Sequence, residues 1–199
     1  MVAVRAATPA DRVALTASLA NAFSEDPLFG WIVGPNAPLE ERMRIFFDMF
    51  LKTNLGKPDH LVFTSDDGAG AAIWQPVGKW KVPTTDLVRG FPAMIRAFRL
   101  RTPTMMSTLT AIEKVHPKEE HYYLEVLGTR KDTQSKGVGS SVISPVLEKC
   151  DAEGMPAYLE SSNPRNIPFY ARHGFEVREE IDCGKGAPIT TAMWREPRG

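Results

Sequence analysis

One short stretch of the chain combines residue types that can hold a phosphate group. QSKGVGSS, Gln134 to Ser141, lies between a run of apolar residues and a predicted helix, and its two glycines are one residue apart. A helix start exposes backbone amides without intrahelical partners, and the helix dipole adds partial positive charge there. Glycines let a ligand approach those amides, and Lys136 adds a formal charge. The loop is therefore predicted to bind an anion.

Spacing separates the phosphate loops that this stretch could form. No GxxxxGK[ST] motif of the Walker type occurs in the chain. A dinucleotide-binding motif is closer, because Gly137, Gly139 and Glu160 match part of it, but Val142 occupies its third glycine position. The segment after Glu160 is also too short for the remaining strands of a doubly wound sheet. A glycine-rich turn without a ligand is a further alternative.

Two glutamates lie within otherwise apolar segments that are typical of strands. Glu125 interrupts YYLEVLGT, and Glu160 interrupts AYLESS. A carboxylate in such a segment costs free energy unless it faces a wet cleft or a partner, so both are candidates for proton transfer or for lining a site. A paired or solvent-facing glutamate is the alternative for Glu125. His121 is a weaker candidate, because a histidine that opens a strand is usually exposed.

The composition limits the classes of protein to which the chain can belong. Its 199 residues fit one domain, and 24 basic side chains balance 24 acidic ones. This neutrality argues against nucleic acid or an anionic membrane as a partner. The chain contains neither the long apolar window of a membrane span nor the apolar stretch of a signal peptide. We therefore expect a soluble cytoplasmic protein.

Neither the cysteines nor the histidines form a metal-binding pattern. Cys150 and Cys183 have no CxxC partner, so we expect two ordinary thiols, with a disulfide or a reactive thiol as alternatives. The segment HPKEEH, from His116 to His121, contains Pro117, which breaks the helix that would align two histidine ligands. No metal is expected.

The elements that must position these residues alternate between strands and helices. A strand at residues 2 to 6 precedes a helix that ends near Asp26-Pro27 and a second helix from Pro38 that closes at Gly56 and Pro58. Further strands are predicted at residues 61 to 65, 71 to 77, 122 to 129, 157 to 162, 175 to 181 and 188 to 194, and helices at 137 to 151 and 167 to 173. Residues 83 to 117 are predicted to be helical pieces broken by Pro92 and Pro103. One mixed α/β domain, residues 1 to 199, accommodates this order.

Two helix surfaces have alternative interpretations. The stripe formed by Leu39, Met43, Phe46, Phe47 and Phe50 is predicted to be core rather than a binding face. The arginines of residues 83 to 117, which are Arg89, Arg96, Arg99 and Arg101, are predicted to form a solvated face, with contact to an anion as the alternative.

Two motifs in order resemble the GCN5-related N-acetyltransferases, which bind acetyl-CoA. Gln134-x-x-Gly137-x-Gly139, between a strand and a helix, is similar to the pyrophosphate loop of that family. LESSNPRNIPFYARHGF, Leu159 to Phe175, resembles its later segment. The resemblance is strong over residues 120 to 177, and NPRNIPFY looks most similar to the puromycin N-acetyltransferase branch. The sequence departs from the family at residues 128 to 131, where a proline often follows the cofactor-facing strand.

The resemblance implies a fold and an activity. The fold would be a central mixed, mostly antiparallel sheet of about six or seven strands with helices on both faces. The activity would be direct transfer of an acetyl group from acetyl-CoA to a primary amine of a small molecule, in a ternary complex and without a metal. A protein lysine or N-terminal acetyltransferase and a non-catalytic CoA-binding sensor are the alternatives. The protein would be a monomer or a homodimer.

The resemblance also implies roles for individual residues. Tyr170 matches the tyrosine that contacts the cofactor sulfur and protonates the departing thiolate, with a core tyrosine as the alternative. Glu125, Glu160 or a water chain would take the proton of the amine. The strand from Leu124 to Thr129 would splay from its neighbour and expose backbone groups to pantetheine. The expected acceptor-side residues are Asp26, Phe29 and Trp31, with residues 83 to 117. The expected cofactor-binding residues are Leu127, Gly128, Thr129, Gln134, Ser135, Lys136, Gly137, Val138, Gly139, Ser140, Asn166, Phe169 and Tyr170.

Overall fold

The computed structural model describes residues 2–57, 59 and 61–199, so the predicted helix end at Pro58 lies outside the described residues. Its strands are β1 (Val4–Ala6), β2 (Leu61–Ser65), β3 (Gly70–Gln75), β4 (Tyr122–Thr129), β5 (Ala157–Ser161), β6 (Glu176–Ile181) and β7 (Thr190–Arg195). Its α-helices are α1 (Arg12–Ala22), α2 (Pro27–Val33), α3 (Leu39–Asn54), α4 (Thr84–Phe98), α5 (Thr102–Val115), α6 (Val138–Glu153) and α7 (Ile167–Arg172). Across the described ranges, no helix is long and apolar enough to cross a membrane.

The strands form one sheet in the order β1-β2-β3-β4-β5-β7-β6. β4 and β5 are parallel neighbours, and each of the other neighbouring pairs is antiparallel. The predicted mixed, mostly antiparallel sheet is therefore confirmed, and so is the predicted hairpin formed by β2 and β3. The single parallel pair, β4 and β5, lies at the centre of the sheet.

Helices cover both faces of this sheet, as predicted. Ile73 and Trp74 are consecutive in β3 and therefore point to opposite faces. Ile73 belongs to a core formed with α1 to α5, and Trp74 belongs to a core formed with α6 and α7. Cys183 lies in the first core and Cys150 in the second, and both are free. The sheet itself therefore keeps the two thiols apart.

The α-helix α2 is an element that the sequence pattern did not predict. Asp26-Pro27 was interpreted as a helix end, but it starts α2: Asp26 Oδ1 accepts a hydrogen bond from Phe29 N at 2.9 Å, and proline occupies the first turn. The predicted break at Pro92 is also wrong, because α4 continues through it. The carbonyl that loses its partner there belongs to Val88, which is exposed and can bond to water. The connection between α4 and α5 lies instead at Arg99–Arg101.

One arginine of residues 83 to 117 has a structural role. Arg101 Nε donates to the carbonyl of Ile32 at 2.9 Å, and Arg101 Nη2 donates to that of Trp31 at 3.1 Å. These carbonyls belong to the last turn of α2, where a cation interacts favourably with the helix dipole. Arg101 therefore fixes α2 against the α4–α5 connection, while Arg89, Arg96 and Arg99 remain exposed as predicted.

Candidate functional site

The centre of the site is a gap in the sheet between β4 and β5. Their parallel pairing runs from Tyr122 opposite Ala157 to Leu124 opposite Leu159 and goes no further in the part of the chain that the structure describes. β4 nevertheless continues to Thr129. Its edge from Glu125 onward thus presents backbone amides and carbonyls to the gap, and such groups need partners when they are buried. This divergence matches the splay that the family resemblance implied.

A β-bulge at Glu125 directs its side chain away from the second core. Ile73 pairs with Val126 and Trp74 pairs with Leu124, so Glu125 has no opposite residue on β3. A bulge of this kind re-aims side chains, because two residues on one strand face a single residue on the other. Leu124 accordingly lies in the core under α6, whereas Val126 lies in the core under α1 to α5. Glu125 and Val126 both line the cavity on the side of α1 to α5.

A cavity of about 610 Å³ lies between α1 to α5 and the sheet. This volume lies within the range of small-molecule sites. Phenylalanines form much of its apolar wall: Phe23, Phe29, Phe46, Phe47 and Phe50. Its carboxylates are Asp26, Glu125 and Glu160, together with Asp86, which pairs with Lys57. The phenylalanine stripe of α3 is therefore both core, as predicted, and cavity wall, which the prediction had excluded.

Hydrogen bonds connect Glu125 to α3 across the cavity floor. Gln75 Nε2 donates to the carboxylate of Glu125 and, at 3.0 Å, to Asn54 Oδ1. Asn54 Nδ2 in turn donates to the Phe50 carbonyl at 2.9 Å. Burial raises the pKa of Glu125 to about 7, and the negative charge of Glu160 adds to the rise, while the Gln75 hydrogen bond opposes it. A carboxylate with this pKa is divided between its two protonation states near pH 7, which suits a general base.

Glu160 is part of a buried chain of side chains with two histidines. His116 Nδ1 lies 3.4 Å from Glu160 Oε1, and His116 Nε2 lies 3.0 Å from His121 Nε2. His121 Nδ1 lies 2.6 Å from the carbonyl oxygen of Glu119. The expectation that His121 is exposed was wrong, because only 3% of it is accessible and its burial lowers its pKa. No sequence pattern indicates this arrangement, since the segment from 116 to 121 has no regular period.

Tyr170 and Asp26 line the same cavity from two other elements. Tyr170 lies on α7 and is 7% exposed; its burial raises the pKa of the phenol, and the charge of Asp26 adds to that rise. Asp26 accepts from Phe29 N and from the Ser162 hydroxyl, and its burial raises its pKa. The structure does not place Trp31 with them: its indole lies beside Gly184 and Gly186, outside the cavity lining. Of the three predicted acceptor-side residues, two therefore line the cavity.

The glycine loop has the backbone geometry of an anion site. Ser135 and Gly137 adopt left-handed conformations with φ of 63° and 84°. The first backbone bond of α6 runs from Ser141 N to the Gly137 carbonyl at 3.0 Å, so the amides of residues 138 to 140 have no intrahelical partner. Residues 134 to 137 are exposed, and a Cβ at Gly137 would meet no atom within 4 Å. Free amides beside open space fit a pyrophosphate.

The other predicted cofactor-binding residues lie along the gap or beside the loop. Leu127, Gly128 and Thr129 are on the unpaired edge of β4. A Cβ at Gly128 would lie 2.8 Å from a methyl carbon of Leu19, so α1 fills that side of the residue and only its backbone can reach a ligand. Gly139 packs against the Phe169 ring, where a Cβ would be 3.3 Å away. This contact joins the loop to α7.

Asn166 lines the cavity and does not cap the helix that follows it. It precedes α7, yet its side chain makes no capping hydrogen bond there. Its side chain lines the cavity together with Leu127 and Tyr170. The cavity thus reaches three of the residues predicted to bind the cofactor.

Comparisons with known proteins agree with this geometry. Residues 89–175 match the model of the Acetyltransferase (GNAT) family. An uncharacterised N-acetyltransferase of Schizosaccharomyces pombe is 26% identical over 178 residues, which are 83% of this chain and 70% of that protein. A crystal structure of the histone acetyltransferase HPA2 and related acetyltransferase from Corynebacterium glutamicum has a TM-score of 0.74 and 22% identity. The match covers 100% of this chain and 98% of that protein's chain. The Drosophila melanogaster polyamine N-acetyltransferase has a TM-score of 0.65 and 13% identity, covering 98% of this chain and 100% of its own. Both solved structures show the fold.

Proposed function

We propose that this chain, an acetyltransferase of the GNAT family, moves an acetyl group from acetyl-CoA to a primary amine of a small molecule by direct transfer in a ternary complex. The observation that carries the proposal is the gap between β4 and β5. On one side it is bordered by unpaired backbone and the glycine loop, and on the other it opens into a cavity with acidic side chains. We further propose that residues 1–199 act as one domain, because all seven strands share one sheet.

The donor side of the site would hold the cofactor mainly through the backbone. The amides of residues 138 to 140 would bind the pyrophosphate, with Lys136 and Ser140 as helpers, and the edge of β4 from Leu127 to Thr129 would bind pantetheine. Gln134, Ser135 and Phe169 border the same region. When bound, acetyl-CoA would supply an activated acyl group as a thioester.

The acceptor side would supply two proton-transfer groups. An alkylamine with a pKa near 10 is mostly protonated at pH 7, so a base must take its proton. Glu125 would take this role: the bulge and the cavity lining put its carboxyl group in the cavity, and its pKa of about 7 supports the role of a base. Tyr170 would give its phenolic proton to the departing sulfur, because a buried phenol with a raised pKa is fully protonated at pH 7 and has that proton available. Asp26 would attract the amine, and Glu160 would line the acceptor side of the cavity.

The shape of the cavity supports a small-molecule acceptor rather than a protein. Residues of α4 and α5, including Leu87, Met94, Met105 and Ile112, form part of its wall. These helices cover the face on which a peptide would need an open groove. The solved neighbour from Drosophila is named a polyamine acetyltransferase, and it shares the fold. The phenylalanine wall favours an amine that carries an apolar group.

Calorimetric titration tests the proposed donor. We expect binding of acetyl-CoA and CoA to the folded protein and no binding of NADH, because the loop lacks the third glycine of a dinucleotide site. A folded protein without affinity for CoA would overturn the proposal. Binding without CoA release from acetyl-CoA, across a broad set of amines and with a lysine peptide, would leave the sensor alternative.

A pair of tyrosine variants tests the role of Tyr170. Tyr170→Phe should lower turnover while CoA binding persists, because only the proton donor is lost. Tyr122→Phe is the matched control: it is another buried tyrosine, but its hydroxyl donates to Glu153 at 2.6 Å and it does not line the cavity. Equal turnover of Tyr170→Phe and the wild-type protein with several amines would contradict the assigned role.

A further inference from the structure

His116 occupies a site that would suit a cation. Its ring is stacked on the Trp80 ring with a distance of 3.8 Å between the ring centroids. The ring centroids of Tyr123 and Tyr158 lie 4.8 and 4.9 Å from that of His116, in edge-to-face arrangements. Aromatic rings attract cations through their quadrupoles, and the attraction grows when water is excluded. His116 is only 7% exposed. The proposed transfer reaction does not use this residue, so its surroundings need another explanation.

The hydrogen bonds of the two histidines determine where their protons lie. A carbonyl oxygen only accepts, so His121 Nδ1 must carry the proton that it shares with the Glu119 carbonyl. If His121 is neutral, its Nε2 is an acceptor, and His116 Nε2 must donate to it. His116 Nδ1 then faces Glu160 Oε1 at 3.4 Å. One further proton is needed between these two atoms, because an unprotonated nitrogen would repel a carboxylate.

We propose that His116 is an imidazolium ion paired with Glu160, held in place by a neutral His121, and that it acts as a positioning residue for Glu160 in the acceptor cavity. The aromatic rings favour the proton on His116 rather than on the carboxyl group. Glu160 Oε1 accepts no hydrogen bond of good geometry among the described residues, and His116 Nδ1 at 3.4 Å is the cationic group that it faces. The phenols of Tyr123 and Tyr158 also lie near the Glu160 carboxylate. The role of His116 in turnover rests on the proposed acetyltransferase function, but the protonation state of His116 does not.

The surrounding groups are compatible with a single cation at this position. The titratable side chains that face the His116 ring are His121, Tyr123, Tyr158 and Glu160. Burial raises the pKa of both tyrosines and lowers that of His121, so all three remain neutral at pH 7. Lys81 Nζ lies 5.1 Å from the Trp80 ring centroid, and Arg178 is a further cation close enough to act on Tyr158. Glu160 is thus the anion that His116 neutralises.

This pairing divides the work between the two cavity glutamates. Glu160 is committed to His116, which leaves Glu125 to take the proton of the amine. The negative charge of Glu160 already raises the pKa of Glu125. Without the His116 charge, an ionised Glu160 would act on Glu125 uncompensated and raise that pKa further. The rise of activity with pH should therefore move to higher pH in a His116→Asn variant.

Nitrogen NMR of protein labelled with ¹⁵N-histidine tests the protonation state directly. At pH 8, where a free histidine is neutral, we expect both ring nitrogens of His116 to be protonated. The ring of His121 should be protonated only at Nδ1. The doubly protonated signal should be lost in Glu160→Gln, an isosteric change that removes the negative charge. His173 lies beside Ser140 outside this group, so its signal should stay unchanged and serves as the internal control.

The outcomes separate this proposal from the proposed enzyme function. An unprotonated His116 Nδ1 at pH 8, or a ring that stays doubly protonated in Glu160→Gln, would overturn the ion pair, whatever the protein does with acetyl-CoA. If His116→Asn does not fold, the Glu160→Gln spectrum decides alone. In a folded His116→Asn variant, a pH profile of turnover that stays in place would contradict the charge-cancelling role.

Discussion

The two sides of the gap between β4 and β5 offer different kinds of chemical group. The glycine loop and the edge of β4 offer backbone groups that are exposed to open space, with Ser135 and Gly137 in left-handed conformations. The cavity side offers side chains that are buried and have shifted pKa values, above all Glu125 and Tyr170. The position of backbone amides depends on a few backbone conformations. The pKa of a buried side chain depends on every group that surrounds it. The two sides should therefore respond differently to substitution.

The largest effect is expected from Glu125→Gln on the cavity side. Loss of a general base typically costs about 10² to 10⁴ in rate, so kcat/KM should fall by that factor while the affinity for CoA persists. In the wild-type protein, activity should rise as pH increases through about 7, because Glu125 must be ionised to accept a proton. This rise should disappear in the variant.

The control for that prediction is Glu148→Gln, which makes the same change on the exposed face of α6. Steady-state kinetics from pH 5.5 to 9 would measure both variants. An unchanged pH profile in Glu125→Gln would place the base elsewhere and remove the main contrast between the two sides of the gap.

Glu125→Gln should also make the protein more stable at high pH. Folding raises the pKa of Glu125 from its ordinary 4.5 to about 7, so the folded protein disfavours the ionised form. The free energy of unfolding of the wild-type protein should therefore fall between these two pH values and then level off. At pH 8, Glu125→Gln should be more stable by up to about 3 kcal/mol, and at pH 4 the difference should vanish. Urea unfolding at the two pH values measures this.

On the backbone side, Gly137→Val should weaken CoA binding about tenfold or more. A β-branched residue at φ of 84° is strained and would move the amides that follow it. Gly154→Val is a matched control at the other end of α6: its φ is 62°, and its Cβ would also meet no atom within 4 Å. Both variants should lose similar stability, but only the first should lose affinity in a calorimetric titration. Equal losses of affinity would mean that strain, not the loop, is responsible.

The smallest effect is expected from Lys136→Ala. Lys136 is exposed, so its charge is screened by water and salt, and its loss should weaken CoA binding a few-fold with little change in kcat. The difference should shrink as the salt concentration rises. Lys118→Ala, another exposed lysine away from the loop, should change nothing. A large loss of kcat in Lys136→Ala would show that the loop does more than bind.

The sequence predicted the backbone side of the site better than the cavity side. The strand at 122 to 129 and the glycine loop are local patterns, and Tyr122–Thr129 forms as predicted. Asp26-Pro27 is also a local signal, but it can either end or begin a helix, and only the packing of α2 decides between them. The link from Gln75 to Glu125 and the contact of His116 with Glu160 join residues far apart in the chain, so no spacing rule reveals them.

The extra residue at Glu125 also sets the phase of the rest of β4. Because side chains alternate along a strand, Leu124 and Val126 would share a face without the bulge, whereas here they lie on opposite faces. If Glu125 were paired as an ordinary strand residue, Leu127 would face α1 where Gly128 does now, and even a single carbon at that position would collide with Leu19. The position of the proposed proton acceptor and the close approach of the first helix to the sheet are thus one property of the chain. A deletion of Glu125 should remove the proposed base together with the bulge and still leave Val126 opposite Ile73 and Gly128 opposite Ala71, so the packing of α1 against the sheet should persist.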